Sequence, residues 1–159
     1  MVLPAHIGLW RQGVYNEAMY RVVREITFCY GHRLLNHSGK CRHLHGHNGR
    51  AVIVLESCQL DHLGMVVDFG AVKKVIGAWI DTALDHRMIL HKDDPLIPLL
   101  QQQGEPIHVL DVNPTAENLA RLIYDFAAEQ CFPVVEVCLW ETEDSCATYR
   151  GEAQDRGER

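Results

Sequence analysis

The sequence predicts an α+β domain in which an antiparallel sheet carries two helices on one face. Strand-like alternation of apolar and polar residues occurs near both ends of the chain, at 21–32, 45–57 and 134–149. Between these segments, apolar residues recur at the helical period after Val72 and after Thr115. The connections near both ends are short, which favours antiparallel pairing of neighbouring strands.

Composition is typical of a single globular domain. Of the 159 residues, 47% are hydrophobic and 23% are charged, which argues against disorder. The formal net charge of -6 gives no general attraction to nucleic acid or to an anionic membrane. No secretory signal or transmembrane segment is evident, so we expect a cytoplasmic protein. We expect the domain at 20–151, between an N-terminal extension at 1–19 and a frayed tail at 152–159.

The first two strands place three histidines where their side chains can meet. Alternation over 21–32 puts His32 at the end of the first strand, on its apolar face. A second strand from about His45 to Ser57 points His45 and His47 to the same face as its apolar residues. Neutral imidazole is a common zinc ligand, and zinc with an open position is a catalytic site. The pattern therefore predicts a metal site.

A histidine-rich surface turn is the simpler alternative for this stretch. We favour metal binding because the two alternating histidines follow a cysteine in a short tract rich in both residue types. His43 shares the alternation and could replace one of the three ligands, but it lies closer to the loop.

Six cysteines are present, and without an export signal we expect them to be reduced. Cys131 and Cys138 lie in apolar runs, which is typical of small core residues. Cys41 instead lies in a polar, basic stretch, and neighbouring cations or a metal favour a reactive thiolate there.

The middle of the chain predicts one helix and an adjacent Asp-His pair. The helical pattern runs from Val72 to Ala83, and Asp68 is placed to interact with the helix N-terminus. The pair Asp85-His86 follows the helix. It is most often a solvated helix end, but a carboxylate beside an imidazole can also tune a proton-transfer group.

The C-terminal half predicts a strand over Ile107–Val112, a helix and two more strands. Thr115 fits the N-cap of this helix. The strand Val134–Trp140 is followed by Glu141 on its apolar face, either solvated or bound to a cation or ligand. A last short strand covers Ser145–Tyr149.

Taken together, these motifs resemble the 6-pyruvoyltetrahydropterin synthase / 6-carboxytetrahydropterin synthase family, over about 21–151. The matching motifs are Phe28 to Leu34 with its strand-end histidine, Cys41-x-x-x-His45-Gly46-His47, Asp68-Phe69, Leu84-Asp85-His86, Pro114 to Asn118, Glu141-Thr142 and Ala147-x-Tyr149. One departure is Cys29-Tyr30-Gly31, which replaces the alanine-rich run usual before the first zinc histidine.

The resemblance implies a zinc enzyme acting on a pterin. It implies Cys41 as the catalytic thiol, with Asp85 and His86 as its proton-transfer partners. Zinc (Zn2+) would be held by His32, His45 and His47. The implied substrate is 7,8-dihydroneopterin triphosphate.

The resemblance also implies how the substrate is held and how the chain assembles. Glu141 would accept hydrogen bonds from the amino-pyrimidine N–H groups of the pterin, with Thr115 near the ring. The family fold is the tunnelling fold (T-fold), in which strands of several subunits close into a barrel. Active sites lie at subunit interfaces, so a homo-oligomer, a hexamer, is implied.

The spacing of Cys41 resembles one branch of the family. It stands four positions before His45, as in the bacterial 6-carboxytetrahydropterin synthases of queuosine biosynthesis. A folate-linked branch has glutamate where this chain has Arg42. The alternatives are a 6-pyruvoyltetrahydropterin synthase, or a zinc- or pterin-binding protein without catalysis.

Overall fold

The computed structural model describes residues 19–151. The expected extension and tail lie outside the described residues, except for Met19. The strands are β1 (Tyr20–His32), β2 (His45–Ser57), β3 (Arg87–His91), β4 (Ile107–Leu110), β5 (Val134–Trp140) and β6 (Cys146–Arg150). The helices are α1 (Phe69–Val72), α2 (Ala78–Ala83), α3 (Ile97–Gln102) and α4 (Ala116–Glu129).

All six strands form one sheet in the order β4-β3-β1-β2-β5-β6. The central pair is β1 with β2, which are antiparallel and in register along their whole length, from Tyr20 opposite Ser57 to His32 opposite His45. Strands β5 and β6 continue the sheet in antiparallel orientation. Strands β1, β2, β5 and β6 are therefore present, and their ends differ from the prediction by one residue or less. The predicted strand Ile107–Val112 is present as β4 and ends at Leu110.

The prediction of a purely antiparallel sheet is wrong. Strand β3 lies parallel to β1, and β4 lies parallel to β3. Strand β3 was not predicted, because it covers only Arg87–His91, directly after the Asp-His pair, and pairs with β1 over three residues. Parallel neighbours need a crossover connection, and the helical segment between β2 and β3 supplies it. Local alternation does not reveal this pairing.

The first predicted helix is present as one helical stretch with an irregular centre. Segments α1 and α2 flank a π-helical turn at Lys73–Gly77. Asp68 caps its start, since its carboxylate accepts a hydrogen bond from the Gly70 N–H at 2.7 Å. Helix α3 was not predicted. Within 19–151, no helix is long and apolar enough to span a membrane.

The core lies between one face of the sheet and the helices. Alternate residues of β2 are fully buried there, and helix α4 packs its apolar stripe against β5 and β6. The fully buried residues include Ala51, Ile53, Leu55, Val72, Ile76, Leu119, Ile123, Val137 and Leu139. This face is continuous with the end of the sheet that carries the histidines.

The prediction that Cys131 is a core residue is wrong, because its side chain is exposed. Helix α4 ends at Glu129, and Cys131 takes a left-handed backbone conformation with φ of 61°. Such a residue commonly terminates a helix and turns the chain away from the core. Cys138 is half-buried on β5.

An ion pair anchors the end of β1, next to His32. The Arg33 guanidinium donates from Nε to Asp94 Oδ2 at 2.7 Å, and the Leu96 N–H donates to Asp94 Oδ1 at 2.9 Å. Asp94 is only 3% exposed. Burial alone would raise its pKa, but the Arg33 and Leu96 hydrogen bonds outweigh burial and hold the pKa of Asp94 below its usual range.

We expect Asp94→Asn to lower the free energy of unfolding by roughly 3 kcal/mol, because Arg33 would lose its buried partner. Because the pKa of Asp94 is lowered in the folded state, its ion pair with Arg33 contributes to stability above about pH 4. This contribution is lost as pH falls through the folded-state pKa of Asp94. Urea unfolding at several pH values measures both effects. Asp93→Asn is the matched control, since the Asp93 side chain is 71% exposed. An equal loss of unfolding free energy in the two variants would contradict the assignment of this stability to the Arg33–Asp94 ion pair.

Candidate functional site

Three histidines meet where β1 ends and β2 begins. His32 lies directly opposite His45, and His47 lies opposite Tyr30, all on the face of the sheet that carries the core. The ring centroids of the three histidines are 4.4 to 5.2 Å apart. One nitrogen of each ring lies within 4.8 Å of the others, so the cluster could hold a metal ion.

Backbone carbonyls set the orientation of two of these rings. His32 Nδ1 lies 2.7 Å from the Pro114 carbonyl oxygen, and His45 Nδ1 lies 2.7 Å from the His43 carbonyl oxygen. Each contact requires a proton on Nδ1, which leaves Nε2 with a free lone pair. Metal-binding histidines are commonly held in this way by a second partner.

The donor set fits a metal ion. His32 Nε2 is buried and has no hydrogen-bond partner among the described residues. Burial lowers the pKa of His32, although the Pro114 carbonyl and Glu141 act in the opposite direction, so the neutral ring is favoured. A buried imidazole nitrogen without a partner costs free energy that a metal ion would offset. Three imidazole nitrogens with room for a further ligand suit zinc.

His43, the alternative ligand, contributes its backbone rather than its ring. Its Nε2 instead accepts a hydrogen bond from Arg42 Nε at 3.2 Å. The ring of His43 is not part of the cluster.

A cavity of about 540 Å³ opens beside the histidines and collects several other predicted site residues. Cys41, Thr115 and Glu141 line it together with the histidine cluster. Cys41 lies in a 3-10 turn at Lys40–Arg42, and its carbonyl accepts from the Leu34 N–H at 2.9 Å. Cavities of this volume accommodate small organic ligands.

The loop before α4 closes one side of this cavity. Thr115 is the N-cap of α4, and its hydroxyl accepts a hydrogen bond from the Asn118 N–H at 3.3 Å. The Asn113 side chain accepts from the Leu35 N–H and donates to the Leu35 carbonyl, which ties this loop to the segment after β1. These contacts hold the Pro114 carbonyl against His32.

Glu141 is held by a buried tyrosine. The Tyr30 hydroxyl donates to Glu141 Oε1 at 2.6 Å, and the same oxygen lies 3.9 Å from His32 Nε2. Burial raises the pKa of Tyr30 far above its usual range, and the adjacent Glu141 carboxylate adds to the effect, so the hydroxyl stays protonated. The Glu141 carboxylate therefore keeps a neutral hydrogen-bond donor on one oxygen.

The Asp85-His86 pair forms as the sequence suggested. Asp85 Oδ2 lies 2.7 Å from His86 Nδ1, and Asp85 Oδ1 accepts from the Cys29 N–H at 2.7 Å. Burial alone would raise the pKa of Asp85, but the hydrogen bonds from Cys29 and His86 hold it below its usual range. The carboxylate can therefore orient the imidazole.

Within one chain, this pair does not share the cavity of Cys41. His86 lines a different cavity, bounded by Cys29, Asn48 and Met88, and among residues 19–151 only His47 borders both cavities. The His86 backbone has a φ of 54°, and its side chain is 78% exposed. A non-glycine residue held in this conformation often has a functional role.

Three supports of the site were not predicted: the Pro114 carbonyl, the Asn113 bridge and the hydroxyl of Tyr30. A carbonyl contact leaves no signal in residue types, because every residue carries the acceptor. Tyr30 was visible as an unusual residue two positions before His32, but its partner is 111 positions away.

Comparison with known proteins finds relatives over most of the chain. A profile described as 6-pyruvoyl tetrahydropterin synthase matches residues 21–152. The chain is 38% identical over 133 residues to a protein of Rickettsia typhi named 6-carboxy-5,6,7,8-tetrahydropterin synthase. The match covers 79% of this chain and 96% of that protein.

Solved structures share the fold. An uncharacterised protein of Wolinella succinogenes superposes with a TM-score of 0.70 at 28% identity, covering 85% of this chain and 99% of that one. The 6-pyruvoyl tetrahydropterin synthase of Caenorhabditis elegans gives a TM-score of 0.63 at 25% identity, covering 84% and 96%.

We expect His45→Ala to abolish stoichiometric zinc binding, because the candidate cluster would keep only two of its three imidazoles. Metal analysis of dialysed protein and a competition titration measure the loss. His43→Ala is the matched control, since the His43 carbonyl that orients His45 belongs to the backbone and remains. Zinc retained by the His45 variant, or lost from the His43 variant, would contradict the assignment of the cluster.

Proposed function

The chain belongs to the 6-pyruvoyl tetrahydropterin synthase family, and from this we propose that it is a zinc-dependent lyase acting on 7,8-dihydroneopterin triphosphate. The proposed products are 6-carboxy-5,6,7,8-tetrahydropterin, acetaldehyde and triphosphate. This is the reaction of a 6-carboxytetrahydropterin synthase, the name carried by the Rickettsia typhi relative. Such a reaction would serve queuosine biosynthesis in the cytoplasm.

One observation carries the proposal: a metal-competent histidine cluster, a thiol and a carboxylate border one cavity. Cys41 and Glu141 line the cavity together with the three imidazoles. A protein that only binds zinc does not need a thiol that borders the same cavity but lies outside the ligand cluster. A protein that only binds a pterin has no use for the metal cluster.

Each residue has a chemical role on this substrate. Zinc bound by the three imidazoles would polarise the hydroxyls of the substrate side chain. Glu141 accepts hydrogen bonds from the amino-pyrimidine N–H groups, and Thr115 lies beside the ring. The Cys41 thiolate removes or returns a proton at a side-chain carbon. His86, oriented by Asp85, transfers a second proton.

We place Asp85 and His86 in the active site of a neighbouring subunit, in a homo-oligomer. Two strand edges support this: β6 ends the sheet, and the outer edge of β1 before Tyr30 has no strand partner among the described residues. Unpaired edges readily add a strand from another copy. If this edge pairing continued around a ring, the antiparallel strands of several copies (β1, β2, β5 and β6 of each) would close into a barrel. Two rings of three subunits each would make a hexamer.

The product distinguishes this function from its alternatives. We expect zinc-loaded protein incubated with 7,8-dihydroneopterin triphosphate to yield 6-carboxy-5,6,7,8-tetrahydropterin and acetaldehyde, identified by mass spectrometry. A 6-pyruvoyl product would instead identify a 6-pyruvoyltetrahydropterin synthase. Absence of turnover, with zinc bound, would favour a binding protein and contradict the proposal.

We expect two inactive variants to restore activity when mixed. Cys41→Ala and His86→Ala each lack one proton-transfer group, but hetero-oligomers would contain sites with Cys41 from one subunit and His86 from another. Random association at equal amounts would make about one quarter of the sites complete. Activity is measured after the two variants are unfolded together and refolded.

The control is each variant refolded alone. Activity that stays at the level of the single variants, in oligomers shown by mass spectrometry to be mixed, would contradict a site shared between subunits. It would leave the product assay unaffected.

A further inference from the structure

Tyr30 occupies a position behind the candidate site that the proposed reaction does not use. It is 3% exposed, and its ring stacks on Phe28 with a centroid distance of 5.3 Å. The Tyr30 ring also packs against the rings of His32 and His47, with centroid distances of 5.3 Å and 5.8 Å. Tyr30 therefore touches two members of the histidine cluster and, through its hydroxyl, Glu141.

The strand opposite makes room for this ring. A Cβ atom at Gly49 would lie 2.9 Å from Tyr30 Cε1 and 3.3 Å from Phe28 Cζ. The first contact is too close for a Cβ atom, so a side chain at position 49 would displace the buried phenol ring. The hydroxyl reaches Glu141 Oε1 at 2.6 Å, a short hydrogen bond to a carboxylate.

The position of the Glu141 carboxylate is critical because it lies close to the metal ligands. Its Oε1 is 3.9 Å from His32 Nε2. Ligand atoms around a tetrahedral zinc are roughly 3.3 Å apart, given metal–ligand distances of about 2.0 Å. Oε1 is thus about 0.6 Å farther from His32 Nε2 than a fourth ligand atom would be, so Glu141 is a competitor for the open metal position.

We propose that Tyr30 is a positioning residue that holds Glu141 as an acceptor for the pterin and keeps its carboxylate out of the metal coordination shell. This rests on the proposed function for its pterin half, whereas the metal half concerns the site alone. A carboxylate offers about four acceptor positions. Tyr30 occupies one on Oε1, and those remaining accept the N–H groups of the pterin.

The test uses Tyr30→Phe, which keeps the ring packing and removes only the hydroxyl. Two readouts are taken: the affinity for 7,8-dihydroneopterin, followed by fluorescence on zinc-loaded protein, and the visible spectrum of protein loaded with cobalt(II) chloride. We expect the affinity to fall about tenfold, since a hydrogen bond to a charged group is lost. We expect the cobalt bands to shift as the carboxylate enters the coordination shell.

Two controls separate positioning from general damage. Tyr149→Phe removes a phenol whose ring packs on Tyr124, away from the histidines, and should leave both readouts at the wild-type values. In a Glu141→Gln background, Tyr30→Phe should no longer shift the cobalt bands, because the carboxylate is absent. With turnover as an added readout, KM should rise more than kcat falls.

The outcomes separate this inference from the proposed function. Wild-type affinity and wild-type cobalt bands in Tyr30→Phe would overturn the inference. A cobalt shift that persists in the Glu141→Gln background would also overturn it, since the hydroxyl would then act on another group. If zinc-loaded wild-type protein does not turn over 7,8-dihydroneopterin triphosphate, the proposed function fails, whereas the cobalt spectra still decide whether Tyr30 restrains Glu141.

Discussion

The in-register pairing of β1 with β2 is the constraint on which the site depends. Thirteen residue pairs join the two strands, and the last one sets His32 opposite His45. Because side chains alternate between the faces of a strand, a slip by one residue would send His45 and His47 to the opposite face. The buried residues of β2 oppose such a slip, since it would expose Ile53 and Leu55 to solvent. The core thus sets the geometry of the candidate metal site.

Contacts from distant segments then complete what the strand pair begins. The Pro114 carbonyl orients His32, and the Tyr30 hydroxyl orients Glu141. Both contacts use atoms whose direction is set by backbone elements, the loop before α4 and the end of β1. A site held by such partners is preorganised, so that little reorganisation is needed when a metal or substrate binds.

The sequence predicted those parts of the structure that depend on local periodicity. Strands β1 and β2 and helix α4 were predicted because burial on one face repeats along the chain. Strand β3 was missed because five residues after a helix carry too little pattern, and its parallel pairing depends on the crossover. The proximity of His32 to His45 followed from strand alternation, whereas the contact of Tyr30 with Glu141 joins residues 111 positions apart and has no local signal.

The central claim is that His32, His45 and His47 form the coordination shell of a catalytic zinc ion with one position open to substrate. X-ray absorption spectroscopy of the zinc-loaded protein tests it most directly. We predict three imidazole nitrogens and one oxygen from water around zinc, with the oxygen replaced when the pterin substrate binds. A sulfur ligand from Cys41, or a carboxylate oxygen that stays in place with substrate, would contradict it.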